Sequence, residues 1–311
     1  MNRAAVARAL RAALPVLSLA LLLGAIFWLQ PRTMSYTGLN LLLNLAVPIA
    51  LATLAQMFIL TVNDIDLGIG AYVSLTACIA ATLLNDTPAL GVLALLGCVA
   101  VYGLMGALIH WRNLPSIVVT LGMSFVWFGV AIMVLPTPGG KAPELVRSLM
   151  TVKPPLVPFP IIASLVIGIV VHLALMRSPY GAVLRGAGGN PRAVARAGWS
   201  LLRVKVTMYM AAGAFGALSG VALVGLTTAG GADIAARYTL LSIAGAILGG
   251  SEFVGGRVSP IGAVVGAITL TLAASFLSFL RLNPDFQIGA QGAILILVLA
   301  LRAVIARSEQ R

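Results

Sequence analysis

Residues 39–61 read LNLLLNLAVPIALATLAQMFILT. The stretch holds no charged residue, and its polar members are Asn40, Asn44, Thr53, Gln56 and Thr61. A helix needs about 20 mostly apolar residues to cross the hydrocarbon core of a bilayer. A helix on the surface of a soluble domain keeps a polar face at the 3.6-residue period, whereas here apolar residues fall on every face. The segment reads as a membrane-spanning helix, and the chain around it repeats the pattern.

The 311 residues are 60% hydrophobic and 9% charged, with a mean hydropathy of +1.06. Soluble domains carry about 25% charged residues, so a soluble globule of this composition would lack a polar skin. The apolar runs are continuous and aromatics make up 6%. That excludes a transmembrane barrel, whose strands alternate and carry aromatic girdles. The chain is expected to be an all-α polytopic membrane protein, a single transmembrane domain over 1–311 with no room for a separate soluble domain. Cys78 and Cys98 both lie inside apolar runs and read as buried small hydrophobes. They offer no disulfide framework or metal spacing, and His110 and His172 have no ligand-like neighbours. No acid–base pair or nucleophile constellation is present, so no catalytic residue, metal site or cofactor is assigned to this chain.

About ten spans are expected. The first, Leu14–Leu29, is a retained helix rather than a cleaved leader. Leu39–Thr61, Leu67–Leu84, Ala89–Ile109, Ile117–Leu135, Phe159–Met176, Val206–Leu226, Thr239–Gly250, Ile261–Leu277 and Ile288–Leu301 follow, the eighth and tenth being short enough to be tilted or broken. An even number places both termini on one side. If that side is the cytoplasm, the inside holds Arg3, Arg8, Arg11, Arg112, Arg177, Arg185, Arg192, Arg196, Arg203, Lys205, Arg257, Arg302, Arg307 and Arg311. The outside holds Arg32, Lys141, Arg147, Lys153, Arg237 and Arg281, a split of 14 to 6. The eight acids divide evenly, so the asymmetry belongs to the basic residues alone, as the positive-inside rule requires. The net charge of +12 therefore reports orientation and not nucleic-acid binding. The longest outer loop, 136–158, carries Pro136, Pro138, Pro143, Pro154, Pro155 and Pro158, and is expected to be extended and stiff.

The longest inner loop, 177–205, reads RSPYGAVLRGAGGNPRAVARAGWSLLRVK. Asn190 is a good N-cap and Pro191 suits the first helical position. Gly198 suits a left-handed stop. A short helix over Pro191–Ala197 follows, with Arg192 and Arg196 on one face, and Gly186, Gly188 and Gly189 as a flexible or tightly turning approach. So short a helix is marginal alone, and must dock on anionic headgroups or on a protein partner.

This loop closely resembles the cytoplasmic signature of ribose-type permeases of ATP-binding-cassette importers. Tyr180, Gly181, Arg185, Gly188, Gly189, Asn190, Pro191, Ala195 and Gly198 match it, while Arg192 stands where the family usually has an acid. Three more stretches agree in order. FILTVNDIDLGIGAYVSL (58–75) resembles the Ile-Asp-Leu-Ser-x-Gly region through Ile65, Asp66, Leu67 and Gly70, with Gly68 in place of the serine. LPSIVVTLGMSFVWFGVA (114–131) resembles the Pro-x-Phe-Ile-x-Thr-Leu-Gly segment. ILGGSEFVGGRVSPIGAVVGA (247–267) resembles the double-glycine region, although the glutamate that usually precedes it is absent. The resemblance implies a permease subunit that moves a sugar or related small polar solute across the bacterial inner membrane by alternating access. It implies ATP and magnesium on a separate cytoplasmic ATPase, a periplasmic solute-binding protein, and a second permease subunit, identical or different. The short helix would be the coupling helix. The same architecture serves branched-chain amino acids or nucleosides, and a stand-alone secondary transporter is a more distant alternative.

Asp64 and Asp66 form the one acid pair near a span. An acid at mid-bilayer is costly, so Asp66 is expected to cap the third span, with gating as the second reading. Gly216/Gly220, Gly245/Gly249 and Gly262/Gly266 are spaced for close helix packing. Asn40 with Asn44, and Thr120 with Ser124, share helix faces and are the candidate pathway residues, with helix-to-helix hydrogen bonding as the rival role.

Overall fold

A computed structural model describes residues 3–280 and, beyond them, 286, 289, 292 and 293. Of span ten, Ile288–Leu301, only residues 289, 292 and 293 are among those described, so the span as a whole lies outside the described residues. The described chain forms helices α1 (Arg3–Leu29), α2 (Tyr36–Leu42), α3 (Ala46–Thr61), α4 (Ile69–Ala81), α5 (Leu83–Asp86), α6 (Pro88–Arg112) and α7 (Ser116–Val134). After these come α8 (Glu144–Met150), α9 (Phe159–His172), α10 (Pro179–Gly189), α11 (Pro191–Arg196), α12 (Leu201–Thr227), α13 (Tyr238–Leu248) and α14 (Pro260–Phe279). Among the described residues there is no strand, only one isolated bridge between Gly139 and Gly230. Seven helical stretches are long and apolar enough to cross a membrane: 36–61, 69–86, 88–112, 116–134, 159–177, 201–227 and 260–279, with 15–29 and 238–248 shorter.

Helix α3 is the hub, buried along its whole length, with α12, α13 and α14 packed around it. Helices α6 and α7 instead present Leu93, Leu96, Leu104, Phe125 and Met133 outward. An apolar exterior over a small-residue interior is what a lipid solvent selects. The glycine pairs supply the close contacts. A Cβ at Gly216 would press on the Tyr72 ring, one at Gly220 would meet the Val73 carbonyl, and Gly262 and Gly266 sit directly against the Gly249 and Gly245 backbones.

Two expectations change here. The second span is not one helix, because residues 43–45 break it between α2 and α3. Pro48 has no N–H and its ring crowds the carbonyl four residues back, at Asn44. Asn40 and Asn44 therefore do not lie on one continuous helix face. The loop 136–158 is not extended throughout, since α8 forms within it behind Pro143 at the N-cap. Glu144 in its first turn and Arg147 in its last suit the helix dipole, and Val146 and Met150 pack against Gly225 of α12.

The core contains a motif twice, upside down. Helix α3 ends at Thr61, Asn63 turns left-handed (φ 62°), a non-helical stretch follows, and the 13-residue α4 begins. Helix α12 ends at Thr227, Thr228 turns left-handed (φ 62°), another non-helical stretch follows, and the 11-residue α13 begins. The two short helices meet at their N-terminal ends, where the Gly70 N–H donates to Thr239 Oγ1 at 3.0 Å. Short, interrupted helices in matching positions of two inverted halves are a recurrent transporter design.

Candidate functional site

The loops gather at two ends. At one end Lys141 N–H donates to the Ala81 carbonyl (2.9 Å) and Gly139 pairs with Gly230. At the other, the 61–66, 177–205 and 250–259 segments meet, and this end holds the candidate site. Gly188 lies directly on the Thr61 carbonyl, and a Cβ there would also be 2.7 Å from Gly256 N. The same carbonyl accepts from Gly256 N–H at 2.9 Å. Gly255 and Gly256 hold φ of 68° and 71°, so glycine suits both that backbone and its contacts with Gly188 and Arg185.

The expectation of a flexible or tightly turning glycine approach is therefore corrected. Gly186, Gly188 and Gly189 are helical, closing α10, and Gly188 leaves room for two other backbones, those of Thr61 and Gly256. Arg185, on the same helix, donates from Nε to the Leu175 carbonyl at 3.1 Å.

Helix α11 forms as the sequence predicts. Asn190 Oδ1 accepts from Ala193 N–H at 3.1 Å, satisfying one of the orphan donors of the first turn, and Pro191 opens the helix. Gly198, at φ 84°, ends it. Trp199 N–H donates to Val194 O (3.2 Å) and Gly198 N–H to Ala195 O (3.0 Å), the bond pair of a Schellman stop. Arg192 and Arg196 are exposed, as is every α11 residue except the half-buried Val194. Behind it the Tyr180 and Trp199 rings pack at 5.8 Å, and Tyr180 Oη lies 3.3 Å from Thr207 Oγ1.

The acid pair is more deeply used than a cap at a span end. Asp66 is 1% exposed. One carboxylate oxygen accepts from Gly68 N–H and the other from Tyr102 Oη, each at 2.6 Å. Asp66 thus serves the start of α4, as expected, but from inside the bundle. The Gln56 amide, oriented with its nitrogen toward the Asp66 carbonyl, pairs with both backbone groups of Asp66 at 3.1 and 3.2 Å. Asp64 faces α12, where Lys205 Nζ is 2.9 Å away and Tyr209 Oη donates at 2.9 Å. Gly70 is the contact point with α13 already described.

Thr120 is fully buried and holds the chain between the acids and α4, with Leu67 N–H donating to its hydroxyl at 3.0 Å. Ser116 does the same for Ile65 N–H at 3.2 Å. Ser124 is half-buried and donates to Leu121 O at 2.6 Å. Asn40 and Asn44 are half-buried near the opposite end. Gln56, Tyr102, Lys205, Tyr209 and Ser116 were not singled out as site residues from the sequence. A usable signal existed for Lys205 and Tyr209, which are one turn apart, and for Tyr102, which sits beside Gly103 and Gly106. Among the described residues no group of three or more His, Cys, Asp or Glu converges.

Residues 38–299 match the family described as branched-chain amino acid transport system / permease component. The galactose/methyl galactoside import permease protein of Haemophilus influenzae is 26% identical over 306 residues, 91% of each chain. The ribose import permease protein of the same organism is 24% identical over 295 residues, 92% of this chain and 90% of that one. The autoinducer 2 import system permease protein of Yersinia enterocolitica is 29% identical over 301 residues, 93% of this chain and 80% of that one. No solved structure gives a significant match.

Proposed function

The chain belongs to the branched-chain amino acid transport system / permease component family and is a membrane permease, not an enzyme; from that premise we propose that it imports a sugar or a small sugar-like solute, driven by a separate ATPase. The observation that carries the coupling half of this reading is the 177–205 loop. Its helix α11 is capped at both ends and exposed on nearly all sides, while the α10 glycine behind it is seated on the backbone of α3. A six-residue helix displayed in this way is suited to be gripped from outside and to pass displacement inward.

In this reading the loop end is cytoplasmic. Among the described residues it carries Arg112, Arg177, Arg185, Arg192, Arg196, Arg203, Lys205 and Arg257, against Arg32, Lys141, Arg147, Lys153 and Arg237 at the other end. That bias is in the direction of the positive-inside rule. Both termini then face the cytoplasm in a ten-span permease of the inner membrane. Residues 1–311 form one domain, with 136–158 on the periplasmic side. Arg185, Gly188, Gly189, Asn190, Pro191, Arg192, Arg196 and Gly198 form the ATPase contact, and ATP with magnesium is bound by that partner. A solute-binding protein delivers cargo outside, and a second permease subunit completes the pathway. Asn40, Asn44 and Ser124 are half-buried neutral side chains of a kind that suits a polyhydroxylated solute, and Thr120, one turn before Ser124, also serves the 64–68 stretch.

Relatives named for galactose import, ribose import and L-arabinose transport support a sugar as cargo. The test is uptake of radiolabelled pentoses and hexoses by cells expressing the chain with its ATPase and binding protein, against cells lacking the chain. Loss of sugar uptake alone is expected. Loss of leucine or nucleoside uptake instead, or sugar uptake that survives removal of the ATPase, overturns the proposal.

A further inference from the structure

Lys205 stands in the second turn of α12, directly after the proposed ATPase grip, and Tyr209 stands one turn further along. Both reach Asp64 Oδ2, each at 2.9 Å. The Lys205 and Asp64 side chains are 18% and 12% exposed. An ion pair this far withdrawn from water does not separate freely, because each half would be left as an uncompensated charge. Tyr209 is fully buried, its ring fills the space above Gly106 of α6, and its hydroxyl holds the carboxylate from a second direction. Asp64 is thereby fixed to α12 and is expected to travel with it.

What Asp64 leads to is the start of α4. Residues 64–68 have no helical ladder of their own. They run along α7, held by hydroxyls one turn apart, Ser116 on Ile65 and Thr120 on Leu67. The stretch ends at Gly68–Gly70, where α4 meets α13 through Thr239. At this same N-terminal end α12 is bound to the loop, since Ser200 caps it and Thr207 contacts Tyr180, whose ring packs on Trp199. A continuous chain of contacts therefore leads from α11, through α12 and Asp64, to the point where the two short helices touch.

We infer that the Lys205–Asp64 pair, braced by Tyr209, is the strut through which the cytoplasmic loop moves the start of α4. This rests on the reading of 177–205 as the ATPase grip. When α11 is displaced, the first turns of α12 move with it, and Lys205 and Tyr209 carry Asp64. The 64–68 stretch then shifts along α7, where rotatable hydroxyls can release and re-form its bonds. The joint between α4 and α13 shifts in turn. Lys205, Asp64 and Tyr209 act as positioning residues and touch no substrate.

The test is hydrogen exchange read by mass spectrometry on the permease assembled with its ATPase, with and without ATP and vanadate, so that no cargo need be known. Wild type is expected to show a nucleotide-dependent change in peptides covering 186–198 and 64–72. In Lys205→Ala and Asp64→Asn the change at 186–198 persists and that at 64–72 is lost. Lys205→Arg keeps both, and the reversed pair Asp64→Lys with Lys205→Asp restores the change at 64–72, which a merely structural role would not predict. Tyr209→Phe, which keeps the ring over Gly106, is expected to reduce the 64–72 change partially and covers the case in which the charge variants fail to assemble. A 64–72 response that persists in Lys205→Ala overturns the strut alone. A wild type with no nucleotide response at 186–198 overturns the grip and the strut together.

Discussion

Alanine at Gly188 is a severe test of the geometry, because general propensity predicts the opposite sign. In a helix interior, Gly→Ala gains about 0.8–1.0 kcal/mol. At 188, however, the new Cβ would fall on the Thr61 carbonyl oxygen, 2.7 Å from Gly256 N and 2.9 Å from the Thr61 carbonyl carbon. All three are backbone atoms, so no side-chain rotation relieves the overlap. Overpacking of this kind costs about 1–3 kcal/mol. It also threatens the 2.9 Å Gly256–Thr61 hydrogen bond, worth about 0.5–1.5 kcal/mol. The balance is a net loss of about 0.5–4 kcal/mol. The neighbours are internal controls. A Cβ at Gly186 meets only the tip of Val194 at 3.1 Å, and one at Gly189 meets only Gly255 O at 3.8 Å, so alanine there should be neutral or stabilising by up to about 1 kcal/mol. Thermal unfolding of the three variants in one detergent, followed by tryptophan fluorescence, gives the order, and ATP hydrolysis with the partner subunit gives the functional consequence. Gly188→Ala should melt lowest and uncouple. If it melts with or above Gly186→Ala, the backbone contact at this end is wrong.

Three further outcomes follow from single contacts. Asn190→Ala removes the cap of α11 at a local cost of about 1 kcal/mol; it should leave the melting temperature nearly unchanged while lowering ATP-driven transport, and Asn190→Asp should retain most of it. Asp66→Ala orphans the Tyr102 hydroxyl and the Gly68 N–H, each buried donor costing about 1–3 kcal/mol, so its loss of thermal stability should exceed that of Tyr102→Phe. Ser219→Ala breaks the buried 2.7 Å bond to the Pro48 carbonyl between α12 and α3; such bonds between membrane helices average about 0.6 kcal/mol, so its shift in the same melt should be well below that of Asp66→Ala.

Much of the architecture was legible because lipid simplifies the code. Long uncharged runs can be little else, and the seven helical stretches long and apolar enough to cross a membrane each overlap an expected span. Local chemistry was equally readable where one residue decides it: Asn190, Pro191 and Gly198 delimit α11 as expected. The misreadings arise where a local signal met a distant partner. Pro48 and its effect on Asn44 are adjacent in sequence, yet the break was masked by unbroken hydropathy across 39–61. The three glycines before Asn190 look like a hinge until Thr61 and Gly256 arrive beside them. Pro-rich 136–158 looks stiff and extended, although Val146 and Met150 mark the apolar face of α8. Asp64 and Lys205 are 141 positions apart, and nothing local declares them a pair.

The central claim is that the loop bearing α11 faces the cytoplasm, where an ATPase can hold it. The direct measurement uses a variant with Cys78 and Cys98 replaced and a single new cysteine, either Arg196→Cys in α11 or Lys153→Cys in the 136–158 loop. A membrane-impermeant maleimide is applied to intact cells and to inverted vesicles. Lys153→Cys should label in the cells and Arg196→Cys only in the vesicles. Labelling of Arg196→Cys from outside intact cells would contradict the account.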